Sequence, residues 1–156
     1  MVESKSEARV KLEPIKKSSW VRLPIERAFE LFTDGISTWW PLESHSIGED
    51  NAERCVLEGK TGGRIYEVAK DDGEAEWGTV TAWEPPTKVA FTWHPGREKE
   101  TAQLVEVTFR SKDDGTEFEL IHSGWELLGE RGVKTRENYD GGWDIVLSKY
   151  AAEAER

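Results

Sequence analysis

Gly141-Gly142-Trp143-Asp144-Ile145-Val146-Leu147-Ser148-Lys149-Tyr150 is the stretch whose reading decides the fold. From Trp143 onward the apolar residues fall at 143, 146, 147, 150, 151 and 154, the i, i+3, i+4, i+7 spacing of a helix with one apolar face. The spacing predicts a helix over about residues 135–154, roughly 30 Å long. Each of the two glycines costs a helix interior roughly 1 kcal/mol against alanine. A helix that carries this penalty needs a missing side chain at that point. Either another backbone comes close, or the helix leaves room for something.

Upstream of the helix the pattern is mostly that of strands divided by turn signals. Residues 9–23 read as a first strand. Pro24 suits the first turn of a helix, where its missing N–H costs nothing, and Ile25, Ala28, Phe29 and Phe32 give that helix an apolar face. Thr33-Asp34-Gly35 ends it, residues 36–40 form one short helical turn stopped by Pro41, and residues 42–51 read as a polar loop. Strands follow at 53–58, 64–69 and 74–84, then around the alternating sets Val89/Phe91/Trp93, Val105/Val107/Phe109 and Phe118/Leu120/His122. Asp71-Asp72-Gly73 and Asp113-Asp114-Gly115 are hairpin turns with residues that tolerate positive φ. Residues 126–134, with Gly129 and Gly132, read as a linker. A run of antiparallel strands needs one face covered, and only the last helix is long enough to cover it. Residues 1–8 are expected to be a flexible tail and residues 9–156 a single domain.

Composition narrows the function classes. A net charge of −10 repels nucleic acid and anionic membrane, so neither is expected as a partner. No window approaches the roughly 18 consecutive apolar residues of a membrane-spanning helix. The polar N-terminal residues lack the apolar core of a secretory signal, and the one cysteine, Cys55, suits a reducing compartment. A cytoplasmic location is therefore expected. Eight tryptophans are the anomaly. Each can bury roughly 150–250 Å2 while its N–H seeks a partner, so a roomy aromatic interior or a sticky groove is expected.

Several short motifs carry a likeness. Ala28-Phe29-Glu30-Leu31-Phe32-Thr33-Asp34 runs to Trp39-Trp40, followed by Gly62-Gly63, Gly78-Thr79-Val80, Pro85-Pro86 and Phe91-Thr92-Trp93. His122-Ser123-Gly124-Trp125 and Gly142-Trp143 with Leu147 complete the set. In this order they resemble the Bet v 1/START-like superfamily with the helix-grip fold, also called SRPBCC, and more closely its branch related to the activator of Hsp90 ATPase. The likeness covers residues 10–154. It implies an α+β helix-grip fold: a curved antiparallel sheet of about seven strands wrapped around a long C-terminal helix, with two short helices after the first strand. Proteins it resembles bind lipids, hormones or polyketides between sheet and helix. Some are cyclases, some sequester toxins and some act on a chaperone.

Trp39, Trp40, Phe91, Trp93, Tyr139 and Trp143 are the candidates to line a ligand cavity, with filling of the core as the alternative. Trp143 is the strongest, since the neighbouring glycines thin the helix where its face meets the sheet. His122 shares a strand face with Phe118 and Leu120, so an inward imidazole there needs a partner. It either orients a ligand's hydroxyl or carbonyl, serves as acid or base, or is a satisfied core histidine. His45, His94 and His122 stand on different elements without ligand spacing, so no metal is expected, and no cofactor motif is present. Gly59-Lys60-Thr61 lacks the preceding glycine of a phosphate-binding loop, where Arg54 stands, and reads as a turn. Ser44, His45 and Ser46 are loop neighbours and make no oriented relay by sequence alone. Glu67, Glu76 and Glu119 lie within strands and can face either way.

The reading ranks non-catalytic binding of a small hydrophobic or aromatic molecule between sheet and C-terminal helix first. A protein-interaction module regulating a chaperone or other partner comes second, with Trp20, Trp83 and Trp125 as candidates for an exposed patch. An enzyme acting on an aromatic substrate, cyclase- or hydrolase-like, with His122 and Tyr139 as acid–base groups, comes third.

Overall fold

The computed structural model describes residues 12–156. The expected tail at residues 1–8 and the start of the expected first strand lie outside them. The first strand, β1, is Ile15–Val21, and it begins after Pro14, which has no N–H to give to a ladder. Two helices follow, α1 (Ile25–Thr33) and α2 (Ile36–Trp39). Six strands come next: β2 (Ala52–Leu57), β3 (Arg64–Ala69), β4 (Glu74–Glu84), β5 (Lys88–Trp93), β6 (Gln103–Lys112) and β7 (Gly115–Ser123). The last element is the long helix α3 (Gly132–Ala154).

The strands form one antiparallel sheet in the order β1-β7-β6-β5-β4-β3-β2. The six later strands are a simple meander, and β1 adds to its far edge beside β7. The two short helices therefore carry the chain from one edge of the sheet to the other. At the two hairpins it is Asp72 and Asp113, rather than the glycines after them, that adopt positive φ, 71° and 55°. Register shifts that leave one extra residue at Glu53 of β2 and at Trp77 and Thr81 of β4 bend and twist those two strands. Gly78 sits at the tightest point, where a Cβ would stand 1.7 Å from the Thr92 carbonyl oxygen. No other residue fits there without moving the backbone.

The concave face is lined by alternate residues of each strand. Phe109 opposes Phe118, Val107 opposes Leu120, and Val105 opposes His122 across β6 and β7. All six are buried, and α3 lays Trp143, Val146, Leu147 and Tyr150 against this face. Tyr150 donates to the Ala28 carbonyl at 2.8 Å and so ties α3 to α1. Burial raises its phenol above the ordinary tyrosine range. Lys17 of β1 holds α3 from outside through Asp140 at 2.9 Å and Asp144 at 3.0 Å, one helical turn apart.

The long helix starts earlier than the spacing predicts, at Gly132, and most of the expected linker is a run of 3-10 turns, Trp125–Arg131. Trp125 and Leu128 are both buried, at the three-residue period of that helix. Gly129 takes φ 61° and kinks this run in two before α3 begins.

Candidate functional site

A cleft of about 440 Å3 opens where α3, the ends of β4 and β5, and the loop after α2 meet. That size lies within the range of small-molecule sites, roughly 300–1,000 Å3. Its inner surface is built from four indoles, Trp40, Trp77, Trp93 and Trp143. Trp40 packs against the other three with ring centroids at 5.1, 5.9 and 5.9 Å, and Trp93 meets Trp143 at 5.8 Å. These are tilted and edge-to-face contacts of the kind aromatic pairs prefer.

Each of the four N–H groups is used inside the protein. Trp40 donates to the His45 carbonyl at 2.7 Å, and Trp77 to Glu67 Oε1 at 2.6 Å. Trp93 donates to Tyr139 Oη at 3.1 Å, and Trp143 to His122 Nδ1 at 2.9 Å. The indoles thus offer the cleft only ring surface. Polar atoms come from its rim: Ser44 and His45 on the loop, and Asn138 and Tyr139 on α3.

The loop is held by one buried carboxylate. Glu67 of β3 is 2% exposed. It accepts from the backbone N–H of Ile47 at 2.7 Å and of Gly48 at 2.8 Å, besides the Trp77 indole. An ionised carboxylate can accept several bonds at once, and bonds to a charged group are the stronger kind. Glu67 therefore fixes both a wall of the cleft and part of its floor.

Gly142 also lines the cleft. A Cβ built on it would meet only the His45 ring, at 3.9 Å, and one on Gly141 would meet nothing within 4 Å. Of the two reasons for a glycine pair here, close backbone approach is ruled out, and at Gly142 the missing side chain leaves space.

The sequence-derived candidates divide. Trp40, Trp93, Tyr139 and Trp143 come together on the cleft. Trp39 packs elsewhere, against Phe32 and Tyr150, and donates to the Leu31 carbonyl at 2.8 Å. Phe91 lies behind Trp93 with ring centroids 5.7 Å apart. His122 is fully buried beneath Trp143 and does not reach the cleft. Its Nδ1 accepts from Trp143, so its proton sits on Nε2, which faces Gln103 Oε1 at 3.2 Å. Burial, aided by the nearby Arg97 charge, pushes its pKa down to about 3. It is a neutral support for Trp143. The other tryptophans proposed for an exposed patch are not exposed: Trp125 is fully buried, and Trp20 and Trp83 are half-buried.

Trp77, Ser44, His45 and Gly142 complete the site beyond the candidates. Trp77 was legible as one of the strand tryptophans. Ser44 and His45 are held locally, by the Pro41 carbonyl and the Trp40 indole, but nothing local turns them toward a cleft; the loop just beyond them is tied to Glu67, some twenty residues away.

The family described as Activator of Hsp90 ATPase homolog 1-like protein has a sequence model that matches residues 22–155. The chain belongs to this family. Members share the helix-grip architecture of the SRPBCC group, and solved structures repeat it here. The anthrahydroquino-γ-pyrone synthase Txn09 is 30% identical, with a TM-score of 0.63 over 90% of this chain and 96% of that one. Protein BH1534 of Bacillus halodurans is 24% identical, with a TM-score of 0.65 over 90% and 96% of the two chains. The Aha1 dimer of Colwellia psychrerythraea is 15% identical, with a TM-score of 0.65 over 88% and 92%. The last two are likenesses of fold alone. No curated protein sequence matches the chain. The family fold supports ligand-binding or polyketide cyclase-like roles. Among the described residues no helix is long and apolar enough to cross a membrane.

Proposed function

We propose that this family member binds a small, flat, largely aromatic molecule in the cleft, without covalent chemistry. The observation that carries the reading is the state of the four indoles. With every N–H satisfied internally, they present stacking surface and no donor, which suits a fused-ring ligand better than a strongly polar one. A cytoplasmic location fits the single buried thiol of Cys55, whose pKa burial pushes up to about 12, leaving it unreactive.

A cyclase-like activity is the second reading, favoured by the 30% identity to a synthase whose named product is a fused-ring compound. His122 gives it no support, since it is neutral and walled off from the cleft. Regulation of a chaperone rests on the family description alone.

The test is a titration of tryptophan fluorescence, with native mass spectrometry beside it, against fatty acids, flavonoids and aromatic polyketides. Fused-ring aromatics are expected to bind with Kd below about 100 μM, or roughly −5.5 kcal/mol, and saturated fatty acids to bind more weakly. Binding by none of the aromatic compounds below that threshold overturns the reading. Turnover of an aromatic substrate would move the assignment to the cyclase-like one.

A further inference from the structure

His45 is the one imidazole on the cleft, and nearly all of its polar atoms are taken. Its backbone N–H donates to the Pro41 carbonyl at 2.8 Å, and its own carbonyl accepts from Trp40. Its Nδ1 lies 2.6 Å from Ser44 Oγ. With Nδ1–H donating to Ser44 Oγ, the ring presents a bare lone pair at Nε2. Nε2 has no hydrogen-bond partner among the described residues. It stands across the cleft from Gly142, 3.9 Å from where a side chain would begin. The residue is thus held at three points, two on its backbone and one at Nδ1, and its unpartnered Nε2 borders the space that the glycine keeps open.

Tyr139 is the complementary group. Its oxygen accepts from Trp93, so its own hydrogen is left to donate. The rim therefore carries, besides the Asn138 amide, an acceptor nitrogen and a donor hydroxyl beside a surface of indole faces.

We propose that His45 Nε2 is the acceptor for a phenolic hydroxyl, and that the cleft selects aromatic molecules carrying a free hydroxyl over their ethers. The proposal rests on the aromatic-binding reading and adds to it the ligand's chemical class and the residue that reads it. A ligand hydroxyl that donates to Nε2 satisfies a half-exposed nitrogen in a mostly apolar cleft. An aryl ether leaves that nitrogen unpaired, while its oxygen still accepts from Tyr139. The comparison of phenol with ether therefore isolates His45 from Tyr139.

The probes are 2-naphthol and 2-methoxynaphthalene, titrated calorimetrically into the wild-type chain and into His45→Phe and His45→Gln. Phenylalanine keeps the ring and removes the acceptor, and glutamine restores an acceptor oxygen. The wild type is expected to bind 2-naphthol about tenfold more tightly than the ether, as one neutral hydrogen bond allows. In His45→Phe the ratio falls to about one through weaker naphthol binding, and His45→Gln recovers part of it. Should discrimination persist in His45→Phe, or the wild type bind both probes equally, the role of His45 is overturned while aromatic binding stands. If neither probe binds the wild type, the aromatic-binding reading fails and takes this proposal with it. A readout independent of the variants is the 15N shift of His45 Nε2 in the unaltered protein. It moves on addition of 2-naphthol and not of the ether, and a shift indifferent to 2-naphthol sinks the proposal.

Discussion

Glu67 and His122 are the two buried polar side chains that shape the cleft, and neither was fully legible. Glu67 stands two places after buried Ile65 and shares its inward face by simple alternation. A carboxylate on that face is explained only by its partners, the Trp77 indole and the Ile47 and Gly48 N–H groups, which lie ten to twenty residues away. His122 is similar. Its alternation with Phe118 and Leu120 put the three on one strand face, which the fold turns inward, and its partners, Trp143 and Gln103, lie about twenty residues away on either side. Its chemistry sets a pH dependence. The folded chain holds its pKa down to about 3 against 6.5 for the free group. Between those values the unfolded chain takes up a proton that the folded chain refuses, so this contribution is whole above about pH 6.5 and is lost as the pH falls toward 3. The slope is about 1.4 kcal/mol per pH unit. In urea unfolding at pH 7 and pH 5, the wild type should lose about 2 kcal/mol more than His122→Gln between the two. Equal losses would mean that His122 titrates freely.

At the scale of elements, the apolar stripe of α3 and the alternation along β5, β6 and β7 were read correctly, because each is a property of neighbouring residues. The 3-10 run at Trp125–Arg131 escaped notice because a single i, i+3 apolar pair among glycines and charges resembles a linker. The glycine pair of α3 gives the sharpest test at this scale. An alanine at 141 meets nothing within 4 Å, and one at 142 makes only ordinary contact with the His45 ring. Both Gly141→Ala and Gly142→Ala should therefore stabilise the fold, by about 0.5–1 kcal/mol each in urea unfolding. Their effects on ligand must then part. Gly141→Ala leaves the affinity for 2-naphthol as it was, and Gly142→Ala weakens it severalfold, because its methyl occupies the cleft. Unchanged affinity in Gly142→Ala would show that the space beside His45 is not where the aromatic sits.

For the whole molecule, turn signals between strands and one long terminal helix were enough to specify the architecture. The cleft was only half legible. Three of its four indoles, Trp40, Trp93 and Trp143, were nominated and Trp77 was not, and its outer wall is a polar loop tied to a carboxylate on a distant strand. That wall has a global consequence. A ligand that bridges α3, the sheet and the loop binds only the folded chain, so occupancy adds to the free energy of unfolding. At 2-naphthol concentrations a hundredfold above Kd the gain is about 2.7 kcal/mol. For a chain of this size that raises Tm by roughly 5–10 °C in a thermal scan. A scan that does not move with 2-naphthol, at a concentration where calorimetry reports saturation, would place the binding on the unfolded chain or on the surface.

The packing of the four indoles has one more result. Rings whose centres lie under 6 Å apart exchange excitation far faster than they emit, so they behave as a single chromophore. A flat molecule settling on any one of them dims the whole group. The protein carries its own optical gauge of whether the cleft is filled, and needs no added label.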